Sequence, residues 1–431
     1  MKFRLLLSLL LIFYCWGHTW SLAIAQDVTG KPDRTASLTL AQALKRVAEH
    51  NPELAVSELE IQAVTARISQ AGVKPNPEME FVAEKLSFPF VGSGIFHYTE
   101  STIQVSQRLE LGGKRDLRIR AAEKEVTVAT RELEVKKVEL FSAASLVFAE
   151  ILVEQERVTN QHELNRLTKQ SYTIVVERVA AGKVSPVEQT RASVALASAQ
   201  LEEEKHKRSL AAAKDRLAAL WGRSRTDIDS VLGKFEIPPV AANLQESCMQ
   251  ANPEMKLAAA ASESRDAALA LEMANRKPDL TFNAGLRRLN PEHEQVWVAG
   301  VSIPLPIFDK RQGAIAEART RLDQSRMQEK AVAWRLRSAL TQATHEHDSA
   351  LLEAKTLNES ALPAAREAAA AVEEGYRLGK FEFLNVLDAQ RTLAELQGRY
   401  IEAVASGLKA AIEIERIARC DSSATPANPA R

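Results

Sequence analysis

His345 and His347 flank Glu346, and all three are residue types that hold divalent metals. The pattern around them is helical, and residues two apart on a helix point to different faces. A helical zinc motif needs histidines at i and i+4. His345 therefore reads as a solvated side chain, and His347 as a polar interruption of an apolar seam. Gly375-x-x-x-Gly379-Lys380 approaches a phosphate-binding loop, but it is one residue short and lacks the following Ser or Thr. There is no Gly-x-Ser-x-Gly segment and no nucleophile with a base predicted beside it. These residue types point to no enzyme, no cofactor and no protein-bound metal.

The elements around Gly379 carry more information. "VERVAAGKVSPVEQTRASV", residues 176–194, and "EEGYRLGKFEFLNVLDAQ", residues 373–390, each interrupt a helical pattern at a Gly-Lys pair. Other segments recur in the same order. Asn51-Pro52-Glu53 returns as Asn252-Pro253-Glu254, and "PEMEF" at 77–81 as "PDLTF" at 278–282. The chain reads as a tandem duplication of roughly 200 residues, far longer than a solenoid unit. Each half runs helix, strand, strand, very long helix, break, shorter helix. Capping-box spacing is met by Thr39 with Gln42, Ser185 with Glu188, Asn243 with Glu246 and Asp309 with Gln312. Helices are predicted at 39–73, 114–180, 186–221, 243–276, 310–377 and 384–418.

The period of the long helices is that of coiled coils. Leu336, Leu340, Ala343, His347, Ala350, Ala354, Leu357, Ala361, Ala364, Ala368 and Ala371 alternate steps of four and three without a slip. The segment after the second break carries two apolar seams, as a stave in a wall does. A helix of 67 residues would be about 100 Å long, and the shorter helices would cover its flank end to end.

Four β-like runs are predicted at 77–89, 99–111, 279–289 and 294–306, with turns at 91–94 and 290–292. Ile103, Val105, Leu109 and Leu111 alternate with Gln104, Ser106, Arg108 and Glu110. About ten residues with one apolar and one polar face is the pattern of a membrane-barrel strand. Four strands cannot close a barrel, so either the barrel is shared between chains or the runs are two water-soluble hairpins covered by protein.

Bulk properties agree. Lys and Arg number 56 against 56 Asp and Glu, so no polybasic footprint points to nucleic acid. Aromatics are only 5%, the composition of long helices. Residues 1–25 read as a secretory signal: Lys2 and Arg4, the apolar run Leu5–Gly17, and Ala23-Ile24-Ala25 before a cleavage site at Gln26. Bulky Phe13-Tyr14 argue against lipidation of Cys15. Cys248 and Cys420 remain, and an exported location permits a bond between them without requiring one.

The signal sequence, the duplication, the strand pairs and "YRLGKFEFLNVLDAQ" together resemble the TolC-like outer-membrane efflux factors, from about Leu38 to Ala418. "RLELGGKRDLR", residues 108–118, is most similar to the heavy-metal, CzcC-like branch. The resemblance implies a mainly α fold with a β-barrel part. Three chains would share a 12-strand outer-membrane barrel, continued by a helical tube through the periplasm of a Gram-negative bacterium. The implied domains are a signal peptide (1–25), a first efflux repeat (26–222), an equatorial linker (223–242), a second repeat (243–418) and a disordered tail (419–431).

The implied function is a passive homotrimeric conduit for heavy-metal cations. It would work with a periplasmic adaptor, an inner-membrane RND-type cation pump and outer-membrane lipid, and not with nucleic acid. A drug-efflux or type I secretion conduit of the same fold, or a periplasmic coiled-coil adaptor, are the alternatives. By resemblance, Gly182, Lys183, Tyr376, Arg377, Leu378, Gly379 and Lys380 form the adaptor-docking tips. The family's two acidic gate positions fall on Asn385 and Asp388, so one of the two gate rings would be neutral.

Overall fold

The computed structural model describes residues 37–84, 100–224, 228–240, 249–289 and 294–418. The signal sequence with Cys15, the turns at 91–94 and 290–292, the Asn243–Glu246 box, Cys248, Cys420 and the tail lie outside the described residues.

The chain runs β1 (Ser37–Thr39), α1 (Leu40–His50), α2 (Pro52–Ala71), β2 (Glu78–Glu84), β3 (Glu100–Leu109), α3 (Lys114–Ala180) and α4 (Pro186–Ala219). It continues through β4 (Ser230–Leu232), α5 (Pro253–Asn275), β5 (Leu280–Leu289), β6 (Glu294–Ser302) and α6 (Gln312–Thr356). A π-turn (Leu357–Ala361), α7 (Leu362–Arg377) and α8 (Phe383–Ile417) follow.

The predicted helix 39–73 is two helices. Asn51 adopts an extended backbone and its side chain caps the N–H groups of Glu53 and Leu54, with Pro52 at the first helical position. Proline has no N–H to give the preceding helix, so the chain restarts there. Asn252 and Pro253 do the same in the second repeat: Met249 and Gln250 are helical, the chain breaks at Asn252, and α5 starts at Pro253. Each asparagine has a further role. Asn51 Nδ2 donates to Leu220 O (2.7 Å), just past α4. Asn252 Nδ2 donates to Ile417 O (2.9 Å), at the end of α8. One side chain thus caps the start of an upper helix and the end of a lower one. The expected end-to-end stacking is held together at these two residues.

The predicted helix 310–377 starts later and contains a slip. Asp309 and Gln312 do not form a capping box; they bind the N–H groups of Arg311 and Lys310, and α6 starts at Gln312. Leu362 N–H donates to Leu357 O, five residues back, and Pro363 follows at the start of α7. Pro363 offers no N–H to the previous turn, and a π-turn absorbs the loss. The extra residue shifts the seam by one. Leu336, Ala343, His347, Ala350, Ala354 and Leu357 are buried, and then Leu362 and Tyr376. Ala364, Ala368 and Ala371, expected in the seam, are exposed.

The four predicted strands form one antiparallel sheet in the order β2-β3-β5-β6. The hairpins of the two repeats are joined through β3 and β5, from Glu100 opposite Leu289 to Leu109 opposite Leu280. Strand β6 stops at Ser302 rather than 306 because Pro304 and Pro306 cannot donate to a ladder. Sequence reading missed β1 and β4, which pair in parallel. Gln155 takes the outer side of β4, accepting from Val231 N and donating to Val231 O.

The helices make a single layer. Near the sheet, neighbours run α2, α3, α5, α6; toward the Gly-Lys bends they run α4, α3, α8 and then α6 with α7. Helix α8 is buried on more than one face, through Ile401, Ala403, Val404, Ala405, Gly407 and Ala410, as its two seams require. No described helix is long and apolar enough to cross a membrane.

Candidate functional site

The two bends are built alike. Helix α3 ends with Gly182 N bonded to Val179 O (2.9 Å) and Lys183 N to Arg178 O (2.9 Å). Helix α7 ends with Gly379 N on Tyr376 O (2.9 Å) and Lys380 N on Gly375 O (2.8 Å). This crossed pair of bonds closes a helix through a left-handed residue. Gly182 has φ 67° and Gly379 φ 79°, a region where a Cβ is strained. The glycine placements expected at both bends are met. Lys183, Arg377, Leu378 and Lys380 are all exposed around them.

The structure adds a lock between the bends. The Arg178 guanidinium sits 4.4 Å from the centre of the Tyr376 ring and donates to Tyr376 O. The Tyr376 hydroxyl donates to Glu188 Oε2 (3.1 Å), so Tyr376 connects α7 to both helices of the first bend. Burial, reinforced by the bond to Glu188, pushes the Tyr376 phenol up to about 12. Tyr376 and Phe383 meet as tilted rings, centres 5.6 Å apart, within a buried cluster that includes Val175, Ala192 and Val386. Phe381 lies over Gly375, where any side chain would overlap its ring.

The sequence pattern puts Glu188 in a capping box, puts Arg178 and Phe381 at the ends of the two bend segments 178–185 and 376–381, and gives Phe383 no role. Ser185 does cap Val187 N (3.3 Å), but Glu188 serves Tyr376 instead. A signal was available. The two bends align without a gap, and this sets Arg178 against Gly375, a large residue against none. The room over Gly375 is taken by Phe381 of the same bend, so the alignment marks the asymmetry without naming Tyr376 as the partner of Arg178.

Asn385 and Asp388 are both exposed, three residues apart in the first turns of α8. That spacing puts them on one helix face, while Phe383 and Val386 are buried. The residues of the His-Glu-His group separate as expected. His345 is exposed, and His347 is buried in the seam with Nε2 3.0 Å from Pro238 O. Among the described residues no group of three or more His, Cys, Asp or Glu could hold a metal ion.

The other end of the molecule has its own distinctive surface. Phe81, Ile103, Leu286 and Trp297 stand opposite one another across all four strands. They are between 42% and 82% exposed. Met79 and Val105 extend the same face. The reverse face is polar, with Gln104 donating to Glu80 (2.6 Å) and Arg287 to Thr102 (3.1 Å). So broad an apolar surface marks an interaction face.

The sequence profile of the outer membrane efflux protein family matches this chain twice, over residues 43–223 and 244–418. The chain is 32% identical over 404 residues to the cobalt-zinc-cadmium resistance protein CzcC of Cupriavidus metallidurans, covering 92% of this chain and 95% of that protein. It is 26% identical over 302 residues to the nickel-cobalt-cadmium resistance protein NccC of Alcaligenes xylosoxydans, covering 68% and 67%. The crystal structure of CusC superimposes with a TM-score of 0.75 at 15% identity, covering 88% of this chain and 91% of that one. With two profile matches across the two repeats and a relative aligned over nearly its full length, the chain belongs to the outer membrane efflux protein family.

Proposed function

We propose that this protein is the outer-membrane conduit of a tripartite efflux system, and that its cargo is heavy-metal cations. The exposed apolar row Phe81–Ile103–Leu286–Trp297 carries the reading, because it lies on a sheet whose outer strands, β2 and β6, pair on one side only. Apolar residues facing out and polar ones facing in suit a lipid-exposed barrel. Unpaired edges in lipid cost several kcal/mol per group, so copies of the chain must close the ring. Three copies, each with four strands, would make a 12-strand barrel. The helical layer would continue it as a tube, with the Gly182 and Gly379 bends docking a periplasmic adaptor that couples to an inner-membrane pump.

At the closed end, Asn385 and Asp388 form the gate. Three-fold symmetry brings three Asp388 carboxylates together and favours cations there. The cation cargo draws support from the resistance proteins CzcC and NccC. A wide aqueous passage has no need of a resident metal site.

Deleting the gene and scoring tolerance to zinc, cobalt, cadmium, drugs and secreted proteins tests the cargo; loss of metal tolerance alone is expected. Fractionation tests the architecture. A heat-labile trimer extracted only by detergent from outer membranes is expected, and a soluble periplasmic monomer would overturn the reading.

A further inference from the structure

The layer of helices has two open edges. Helices α2 and α4 form one, and α6 and α7 the other. The sheet ends on the same sides, with β2 following α2 and β6 leading into α6. A layer with two different edges joins head to tail, and such contacts make a ring when the rotation between copies closes. What each edge presents in its lower half decides how copies fit.

On α4, Val187, Val194 and Leu201 are 58%, 65% and 68% exposed. They recur every seven residues, roughly half a turn round the helix from Ala192, which is buried against the bend cluster. Large apolar residues in a heptad row are knobs without holes. On α7, Ala364, Ala368 and Ala371 are exposed in a row three and four apart. They are there because of the π-turn. Without the slip at Leu357–Ala361 they would continue the buried seam, and Leu362 and Tyr376 would not. One inserted residue turns the alanine row by about 100°, out of the α7–α8 contact.

The two rows share a register. Arg178 and Tyr376 hold the bends side by side, which sets a common origin. Val194 lies 12 residues after Gly182, and Ala368 lies 11 residues before Gly379. At about 1.5 Å per residue they stand within roughly 2 Å of the same height. Leu201 lies 19 residues from its bend and Ala361 18 from the other, again level.

We infer that Val194 and Leu201 of one copy seat on the Ala361–Ala371 row of a second copy of this chain, and that the π-turn at Leu357–Ala361 exists to present that socket. The inference rests on the tube reading and specifies the seam by which its lower half closes. Small residues opposite large ones let helix axes approach closely while leaving no void. Larger side chains in the socket would force the copies apart.

The test uses the full chain in outer membranes, with Cys248 and Cys420 replaced by Ser. Val194→Cys together with Ala368→Cys should give disulfide-linked dimers and trimers on mild oxidation, and either substitution alone should give none. Ala368→Leu should lower trimer yield by about tenfold, the scale of an overpacked contact, and adding Val194→Ala should restore it. A trimer that shows no Val194–Ala368 bond and tolerates Ala368→Leu would overturn this seam and leave the tube reading standing. A parent protein that is monomeric in detergent would overturn both.

Discussion

Asn252 gives a prediction whose size follows from its contacts. It is 1% exposed, accepts from Glu254 N at 2.8 Å, and donates to Ile417 O at 2.9 Å and Arg416 O at 3.3 Å. Asn252→Ala removes the N-cap of α5, worth about 1 kcal/mol. It also leaves the carbonyl of Ile417, a fully buried residue, without its donor, at about 1–3 kcal/mol. The expected loss is therefore about 2–4 kcal/mol at the junction of α5 and α8. Hydrogen exchange of the first amides of α5, 254–257, should speed up by about 30- to 700-fold, since 1.4 kcal/mol is tenfold. Asn252→Ser keeps an acceptor for Glu254 N but cannot reach across to α8, so it should fall between wild type and Asn252→Ala. Exchange would be followed on the detergent-solubilised protein. If Asn252→Ala changes it by less than threefold, or if Asn252→Ser matches wild type, the clasp does not hold the two helices.

Four further outcomes are expected. Trp297→Arg places a charge on the apolar sheet face at a position 82% exposed; a cost of about 2–4 kcal/mol at mid-bilayer should cut the yield of trimer in outer membranes, and normal yield would exclude a lipid-facing role. Gly379→Val puts a β-branched residue at φ 79°, which should leave a folded trimer that no longer couples to its adaptor, read as lost metal tolerance. Asp388→Ala should lower cation selectivity in planar bilayers and weaken block by multivalent cations, while Asn385→Asp strengthens both; identical conductance in all three proteins would refute the gate. Glu203 is held down to about 2 by hydrogen bonds from Asn165, Lys207 and His162. A depressed carboxylate stabilises the fold above its ordinary range, so α3–α4 pairing should weaken as pH falls from about 4.5 toward 2. Glu203→Gln should remove that pH dependence of thermal unfolding.

Much of this molecule is local in origin and was legible in the residues. The 67-residue α3 follows from an unbroken run of helix formers between Gly113 and Gly182. The left-handed bends follow from glycine, and the strand alternation from a period of two. Duplication made each feature visible twice. The same local chemistry also sets breaks that the apolar pattern hides. Asn51-Pro52 and Asn252-Pro253 end helices because proline donates nothing backward, yet the apolar pattern runs on past both. Pro363 likewise turns the seam by one residue where heptad spacing alone counts straight through.

What only the tertiary structure decided are pairings between distant parts of the chain. Strand β3 meets β5 across nearly two hundred residues, and Arg178 meets Tyr376 across 198. Nothing in either segment names its partner, because a guanidinium or a strand edge accepts many. The choice is made when the two repeats pack together and only one set of neighbours lies within bonding distance. The sequence by itself determined the pieces and their lengths, since helix and turn energetics act within five residues. The packed layer determined which bend locks which, and which strands meet.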